Sequence, residues 1–575
     1  MEITAKEVID NNDNNSRKLN RFKTCGLWAV LYGMIWTVCL YKNTSGIMTI
    51  VFAAATIVYL YLIITRSAKS RAYGYGVKDK FIYKPVVPYL VGILLLGVSV
   101  FCTDDSFIIF MNYIGIYILA MTVLFVCFGN LERFGLSGYI NSLIGMAVAP
   151  FKYVFSILGD GFMYMRTRKD KASIIPYIAL GIALALPLMA IVIVMLSNAD
   201  VVFKAFVDRG INNLEISSNM VGFIVSLIVS VVYAYGIYCR VNEYSFLSVY
   251  TNQKNVEPVI GITFSIMLTT VYVVFSGIQI ITLFAKERML PEGYTYSEYA
   301  RQGFFQLLFV AAMNLIVVLV CNHVFKDNKL LKIILTVMCG CTYIMIISSA
   351  VRITMYIKTY DLTYLRLLVI FALINLSCLF AGAIISIYNK KFNLVKYIIM
   401  VCGALYITLS FAHPTAIIAR YNLDKSIERI ENADGEAVDI DISYVLGCSD
   451  DATYYVYKFY EEINTMSYVN NDMKNNIENV TSSDIENDTK NNIENGMSGD
   501  IENDTKNNIE NVMISDIEND IENNTDSEMY YYVKNECMSY FRNVRFEYRT
   551  SDNKIRGFNL SRYRAYRASD NAIEK

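Results

Sequence analysis

The fold of this chain turns on the stretch "FIIFMNYIGIYILAMTVLFVCF", Phe107 to Phe128. It carries no charge, and in helix it is long enough to cross a hydrocarbon core of roughly 30 Å, for which about 20 apolar residues suffice. Only a helix or a closed barrel satisfies its own backbone hydrogen bonds in lipid, and the alternation of a barrel strand is absent. The run is therefore a membrane-spanning helix.

Ten further runs qualify or nearly so: Cys25 to Leu40, Ser45 to Thr65, Val86 to Cys102, Ile174 to Leu196, Met220 to Tyr238, Val259 to Ala285, Phe304 to Cys321, Ile333 to Ala350, Leu367 to Ile387 and Tyr397 to Phe411. Composition agrees. The 575 residues are 55% hydrophobic and only 18% charged, and the mean hydropathy of +0.37 is too high for a soluble chain of this length. The net charge of -1 hides an uneven distribution, with most charges at the ends and between the runs. No small-residue cleavage site follows the first run, so it is not read as a signal peptide.

"GYINSLIGMAVAPFKYVFSILGD", Gly138 to Asp160, is apolar but interrupted by Asn141, Pro150 and Lys152. It reads as an interfacial or re-entrant segment, with a twelfth span as the alternative. The excess of Lys and Arg on cytoplasmic loops then orients the chain. A cytoplasmic N-terminus collects Arg17, Lys18, Arg21 and Lys23, the loop "RSAKSRAYGYGVKDK" and the cluster Arg166, Arg168, Lys169 and Lys171, while Asp104 and Asp105 fall on the opposite face. With eleven spans, everything from His413 onward is extracytoplasmic.

Polar residues inside the spans either line a pathway or join helices, and Asn112, Gln279, Asn314 and Asn375 are the candidates. Helix joining is the preferred reading, with Arg352 and Arg366 snorkelling near span ends. No Asp or Glu lies deep in a run, and the two histidines, His323 and His413, sit at boundaries, which disfavours a proton-coupled carrier. Ten of the twelve cysteines lie in or beside spans as small hydrophobes; Cys448 and Cys537 are in the polar tail, as a disulfide or as free thiols. The C-x-C at Cys339 and Cys341 lacks partner ligands, so no metal is assigned. No phosphate-binding loop, metalloprotease motif, nucleophile elbow or dinucleotide fingerprint occurs, so neither a cofactor nor a catalytic residue is assigned. The basic C-terminal end suits a membrane or phosphate surface and gives no case for nucleic acid.

The chain thus divides into a basic N-terminal segment (1–23), a membrane region (24–412), a polar domain in two parts (413–469 and 528–575) and an insertion between them (470–527). In the first part, Ala452, Tyr455, Phe459 and Ile463 fall at helical spacing behind Ser449, a candidate cap, with Asp450 and Asp451 in the first turn. The insertion repeats a sixteen-residue unit, "NNIENVTSSDIENDTK" and two variants of it. It has too little apolar content to fold and reads as disordered. Beyond it, "VRFEYRTSDNKIRGFN" reads as two short strands around a turn. The fold class is therefore an all-α polytopic membrane protein of about eleven spans with a small α+β C-terminal domain, interrupted by a disordered repeat.

Three blocks of the tail, "ARYNLDK" at Ala419 to Lys425, "DISYVLGCSDDA" at Asp441 to Ala452 and "FNLSRYRAYR" at Phe558 to Arg567, resemble blocks of an uncharacterised bacterial family of polytopic membrane proteins. That family is domain of unknown function 4173, close to its relative 4153. Asn422, Tyr444, Ser449, Asp451, Ala452, Asn559, Ser561 and Arg562 carry the resemblance. It implies a multi-pass protein of the bacterial cytoplasmic membrane, whose polar blocks form one small domain beside the bilayer, and it transfers no activity.

Arg420, Asn422, Asn559, Arg562 and Arg564 are the candidate binding cluster, for a lipid headgroup or a phosphate. The preferred alternative is structural, with the asparagines capping helix or turn ends and the arginines paired with Asp441 or Asp451. A non-enzymatic envelope assembly or signalling partner fits best, with the bilayer around it and a protein partner on its C-terminal domain. A transporter or permease is the alternative. A membrane-bound envelope transferase using His413 comes third.

Overall fold

The computed structural model describes residues 19–70, 85–128, 135–167, 218–242, 256–284, 303–432, 442–466, 530–550 and 556–574, with scattered positions from 189 to 204. A first bundle contains α1 (Leu27–Leu40), α2 (Met48–Ser70), α3 (Val87–Cys102), α4 (Ser106–Phe128), the pair α5 (Leu136–Lys152) and α6 (Ser156–Thr167), and α7 (Ser218–Val241). A second contains α8 (Pro258–Phe284), α9 (Phe304–Val324), α10 (Lys329–Tyr360) and α11 (Tyr364–Tyr388). Between them, α12 (Leu394–Phe411) packs against α11 on one side and α3 on the other. The chain then enters a polar module of α13 (Pro414–Glu431), α14 (453–466), α15 (530–550) and α16 (Leu560–Glu574).

Among the described residues, nine helices are long and apolar enough to cross a membrane. The chain is a multi-pass membrane protein. Eight of the eleven expected runs fall on such helices beside Phe107 to Phe128 itself; Val86 to Cys102 forms a shorter apolar helix, and Ile174 to Leu196 lies largely outside the described residues. The interrupted stretch forms α5 and α6, bent by 60° at the break. Its first turns meet the last turns of α4, where Thr122 and Tyr139 share a 2.7 Å hydrogen bond, and its last turns meet the start of α1, where Asp160 pairs with Arg21 at 3.0 Å. Both ends of the pair thus lie at the end of the bundle that carries Arg21. Asn219 in the first turn of α7 contacts Lys42 at the opposite end.

Packing inside the first bundle follows from small residues and rings. Gly33 lets α1 approach α7 so closely that a Cβ there would lie 2.4 Å from Val231, and Ser230 donates to the Gly33 carbonyl at 2.9 Å. Such close contact replaces the hydrophobic drive that lipid removes. Tyr32 stacks on Tyr59 with centroids 4.4 Å apart, and Trp36 meets Phe52 and Tyr233 edge-on.

The module corrects the expected α+β domain: its described residues are helical and contain no strand. "VRFEYRT" alternates like a strand, but it is the end of α15, which buries Val533, Cys537, Phe541 and Val544. Those positions recur at three and four residues, the period of a helix face; Glu547 and Arg549 are exposed, while Arg545 is half-buried and pairs with Asp570 of α16 at 2.9 Å. In α14 the buried face is Ala452, Val456, Phe459 and Ile463, one residue from the expected register at Tyr455. Ser449 precedes the turn Asp450–Ala452 without capping it; its hydroxyl shares a 2.7 Å hydrogen bond with Thr415. Cys448 and Cys537 are both free thiols. The sixteen-residue repeat lies outside the described residues.

Candidate functional site

The end of α3 leaves carbonyls without intrahelical donors, as every helix C-terminus does. The carboxamide of Asn559, 1% exposed, donates to two of them, Val100 at 3.2 Å and Thr103 at 2.8 Å. Its oxygen accepts from the backbone N–H groups of Ser561 at 2.8 Å and Arg562 at 3.2 Å, which caps α16. One side chain therefore closes a membrane helix and opens a module helix. Arg562 then reaches Asp104 at 2.7 Å, and Thr103 donates to Asp451 at 2.5 Å. His413 Nδ1 lies 3.2 Å from the same Asp451 carboxylate, and His413 holds a left-handed backbone, φ 50°, where α12 turns into α13.

A second turn is grasped in the same way. Asn422 on α13 pairs with the backbone of Leu362 in both directions, donating to its carbonyl at 3.0 Å and accepting from its N–H at 2.8 Å. Lys425 and Arg429, on the following turns, reach Asp361 at 2.7 and 2.8 Å, and the Tyr444 hydroxyl accepts from the Tyr364 N–H at 2.8 Å. The module thus holds the α3–α4 turn of one bundle and the α10–α11 turn of the other.

A cavity of about 640 Å³ lies beside the first clasp, bounded by Cys102, His413, Asp451, Tyr454, Arg564 and Arg567 among others. Burial pushes the Asp450 carboxyl up to about 7, helped by the charge of Asp104 and opposed by Arg562. Burial likewise pushes Asp104 up to about 6, against the pull of Arg562. Asp451 is held below the ordinary carboxylate range: burial pushes it up, but His413 and the nearby hydroxyls of Ser561 and Thr103 outweigh this. Among the described residues, no three His, Cys, Asp or Glu side chains form a group able to hold a metal ion.

The chain matches the model of a family described as a domain of unknown function, DUF4153, over residues 90–459. The chain belongs to the DUF4153 family. No curated protein and no solved structure matches it. The DUF4153 segment runs from α3 to α14, so both grasped turns, His413, Asn422 and Asp451 lie inside it, whereas Asn559 and Arg562 lie beyond it.

The residues of the expected binding cluster are divided between two turns, an exposed helix face and the cavity in this DUF4153 protein, and only Asn559 and Arg562 meet. Asn422 serves the α10–α11 turn, Asn559 and Arg562 serve the α3–α4 turn, Arg420 lies 3.6 Å from Asp424 on an exposed face, and Arg564 lines the cavity. The partner of Arg562 is Asp104, where Asp441 or Asp451 was expected; Asp441 lies outside the described residues.

The membrane amides are likewise dispersed. Asn112 joins three helices, donating to Ser99 at 3.2 Å and accepting from Tyr406 at 2.7 Å and Ser410 at 2.9 Å. Gln279 accepts from Ser348 at 2.5 Å between α8 and α10, Asn314 donates to Thr342 at 3.0 Å between α9 and α10, and Asn375 donates within its own helix to Phe371. Sequence reasoning missed the roles of Thr103 and Asp361, and their signal was local: "TDD" and "YDL" place acids in the short turns between long apolar helices.

Proposed function

We propose that this DUF4153 protein is a non-enzymatic signalling or assembly partner in a bacterial cell membrane, with its N-terminus in the cytoplasm and its module outside. The observation that carries this reading is the double clasp. A module fixed to one turn from each bundle changes its geometry when the bundles move relative to each other, and it presents the exposed rings of Tyr454, Tyr531 and Phe546 to a protein partner. Arg21 and Lys23 at the other end, with the basic residues before them, support a cytoplasmic N-terminus.

A photocrosslinking residue at Tyr531 in intact cells tests the reading. The expected result is a discrete protein adduct that changes when both clasps are broken by Asn422→Ala with Asn559→Ala. Absence of any protein adduct, together with solute flux in reconstituted vesicles, would overturn it in favour of a transporter. A cysteine at Tyr531 labelled from outside intact cells tests the orientation, since Cys537 is fully buried and unsuited to it. The His413 and Asp451 pair on the cavity supports the transferase as a second reading. His413→Asn, which tolerates the left-handed backbone, should abolish complementation of a deletion strain if His413 is an acid or base, and leave it intact otherwise.

A further inference from the structure

A cleft of about 580 Å³ lies inside the first bundle, between α1, α2, α4 and α7. Trp36, Phe52, Tyr59, Tyr113 and Met121 are among its walls. Its deep hydroxyls are already engaged: Tyr59 donates to the Ala234 carbonyl at 2.9 Å, Tyr32 and Thr56 share a hydrogen bond at 2.9 Å, and Ser230 donates to Gly33. What the walls offer a ligand is hydrocarbon surface. Phe110, Ile114 and Val229 on the rim are exposed on the flank of the bundle, where lipid lies.

The cleft has the depth of one leaflet. Its lining on α2 runs from Phe52 to Ile63 and on α4 from Phe110 to Met121. Each is a rise of about 16 Å in helix, close to half of the roughly 30 Å hydrocarbon core. The module end of the cleft is marked by Thr44, whose carbonyl accepts from Tyr113 at 2.8 Å. Two residues away, the Lys42 ammonium has a neutral partner, the Asn219 carboxamide. Arg556, brought there by the module, donates to the Tyr41 carbonyl, and its Nε is buried with no hydrogen-bond partner. Among the described residues neither cation pairs with a carboxylate.

We propose that this cleft holds an acyl chain of an anionic membrane lipid, with the lipid phosphate between Lys42 and Arg556 at the module end. A hydrocarbon slot of leaflet depth selects a chain, and two cations at its mouth without carboxylate partners select a negative headgroup. Because Arg556 belongs to the module and Lys42 to the α1–α2 turn, the bound lipid reinforces a contact the module already makes there, where Arg556 donates to the Tyr41 carbonyl and the Ile47 N–H donates to the Phe558 carbonyl at 2.9 Å. The proposal is independent of the signalling reading.

Trp36 reports on the cleft directly, since Trp28→Phe leaves it the only tryptophan of the two in the chain. The full-length variant in lipid nanodiscs is titrated with phosphatidylglycerol or phosphatidylcholine brominated near mid-chain. The expected result is quenching of Trp36 at an about fivefold lower fraction of the anionic lipid, the effect of roughly one cation at a headgroup. Lys42→Gln with Arg556→Gln, which preserves amide donors, should remove the preference, and Ser226→Phe should reduce quenching by both lipids by filling the cleft. Equal quenching by the two lipids in the parent protein overturns the proposal, as does a preference that survives the double Gln variant.

Discussion

Replacing Asn559 by Ala tests whether one buried carboxamide fastens the module to the membrane helices. The side chain supplies the cap of α16, for which Ala costs about 1 kcal/mol. It also supplies the donors to the carbonyls of Val100 and Thr103. Each buried acceptor left unpaired costs at least about 1 kcal/mol. Together these amount to about 3 kcal/mol, which raises the open population of this contact on the order of a hundredfold. Amide hydrogen exchange over residues 560–574, measured on the full chain in nanodiscs, reads that population. Asn559→Ser separates the two contributions: its hydroxyl retains the cap but is too short to serve both carbonyls, so its exchange should lie between parent and Ala variant. Exchange in Asn559→Ala within about twofold of the parent would refute the reasoning.

Three further outcomes follow from the same geometry. Asp104 and Asp450, pushed up to about 6 and about 7, bind protons in the docked state that a solvated carboxylate has released by then. Their contribution to docking is full at pH below about 4 and is lost as pH rises to about 7. Protection of the 560–574 amides, taken relative to their intrinsic exchange at each pH, should therefore fall across that window, and Asp450→Asn should flatten the dependence; Asp451, held low, acts in the opposite sense on acidification. Asp361→Asn keeps the size of the side chain at a turn where φ is 64° but loses two partly exposed ion pairs, with Lys425 and Arg429. It should loosen α13 by about 1 kcal/mol and reduce the salt sensitivity of exchange there. Asn112→Ala removes hydrogen bonds to Ser99, Tyr406 and Ser410. At about 0.6 kcal/mol each in a membrane, this should cost roughly 2 kcal/mol in unfolding by SDS titration, and an unchanged midpoint would argue against a joining role.

The membrane helices were legible because their cause is local: about 20 consecutive apolar residues must satisfy their backbone within themselves, so length and hydropathy suffice. The interruptions at Asn141, Pro150 and Lys152 also showed that one stretch differs from the rest, and it forms the bent pair α5 and α6. Periodicity was less decisive in the module. "VRFEYRT" satisfies a strand period over a few residues and a helix period over the longer run from Val533, and only packing against α14 selects the second.

Asn422 and Asn559 could be singled out, but not their partners. Asn559 meets Thr103 across 456 positions of sequence and Asn422 meets Leu362 across 60, and no propensity or spacing rule spans such intervals. The same holds for the cleft, whose walls come from four helices, and for Asp104 with Arg562. Local chemistry wrote the helices and marked the polar side chains; the clasps came from the folded chain, because a buried carboxamide takes whichever unpaired backbone groups the packing sets before it.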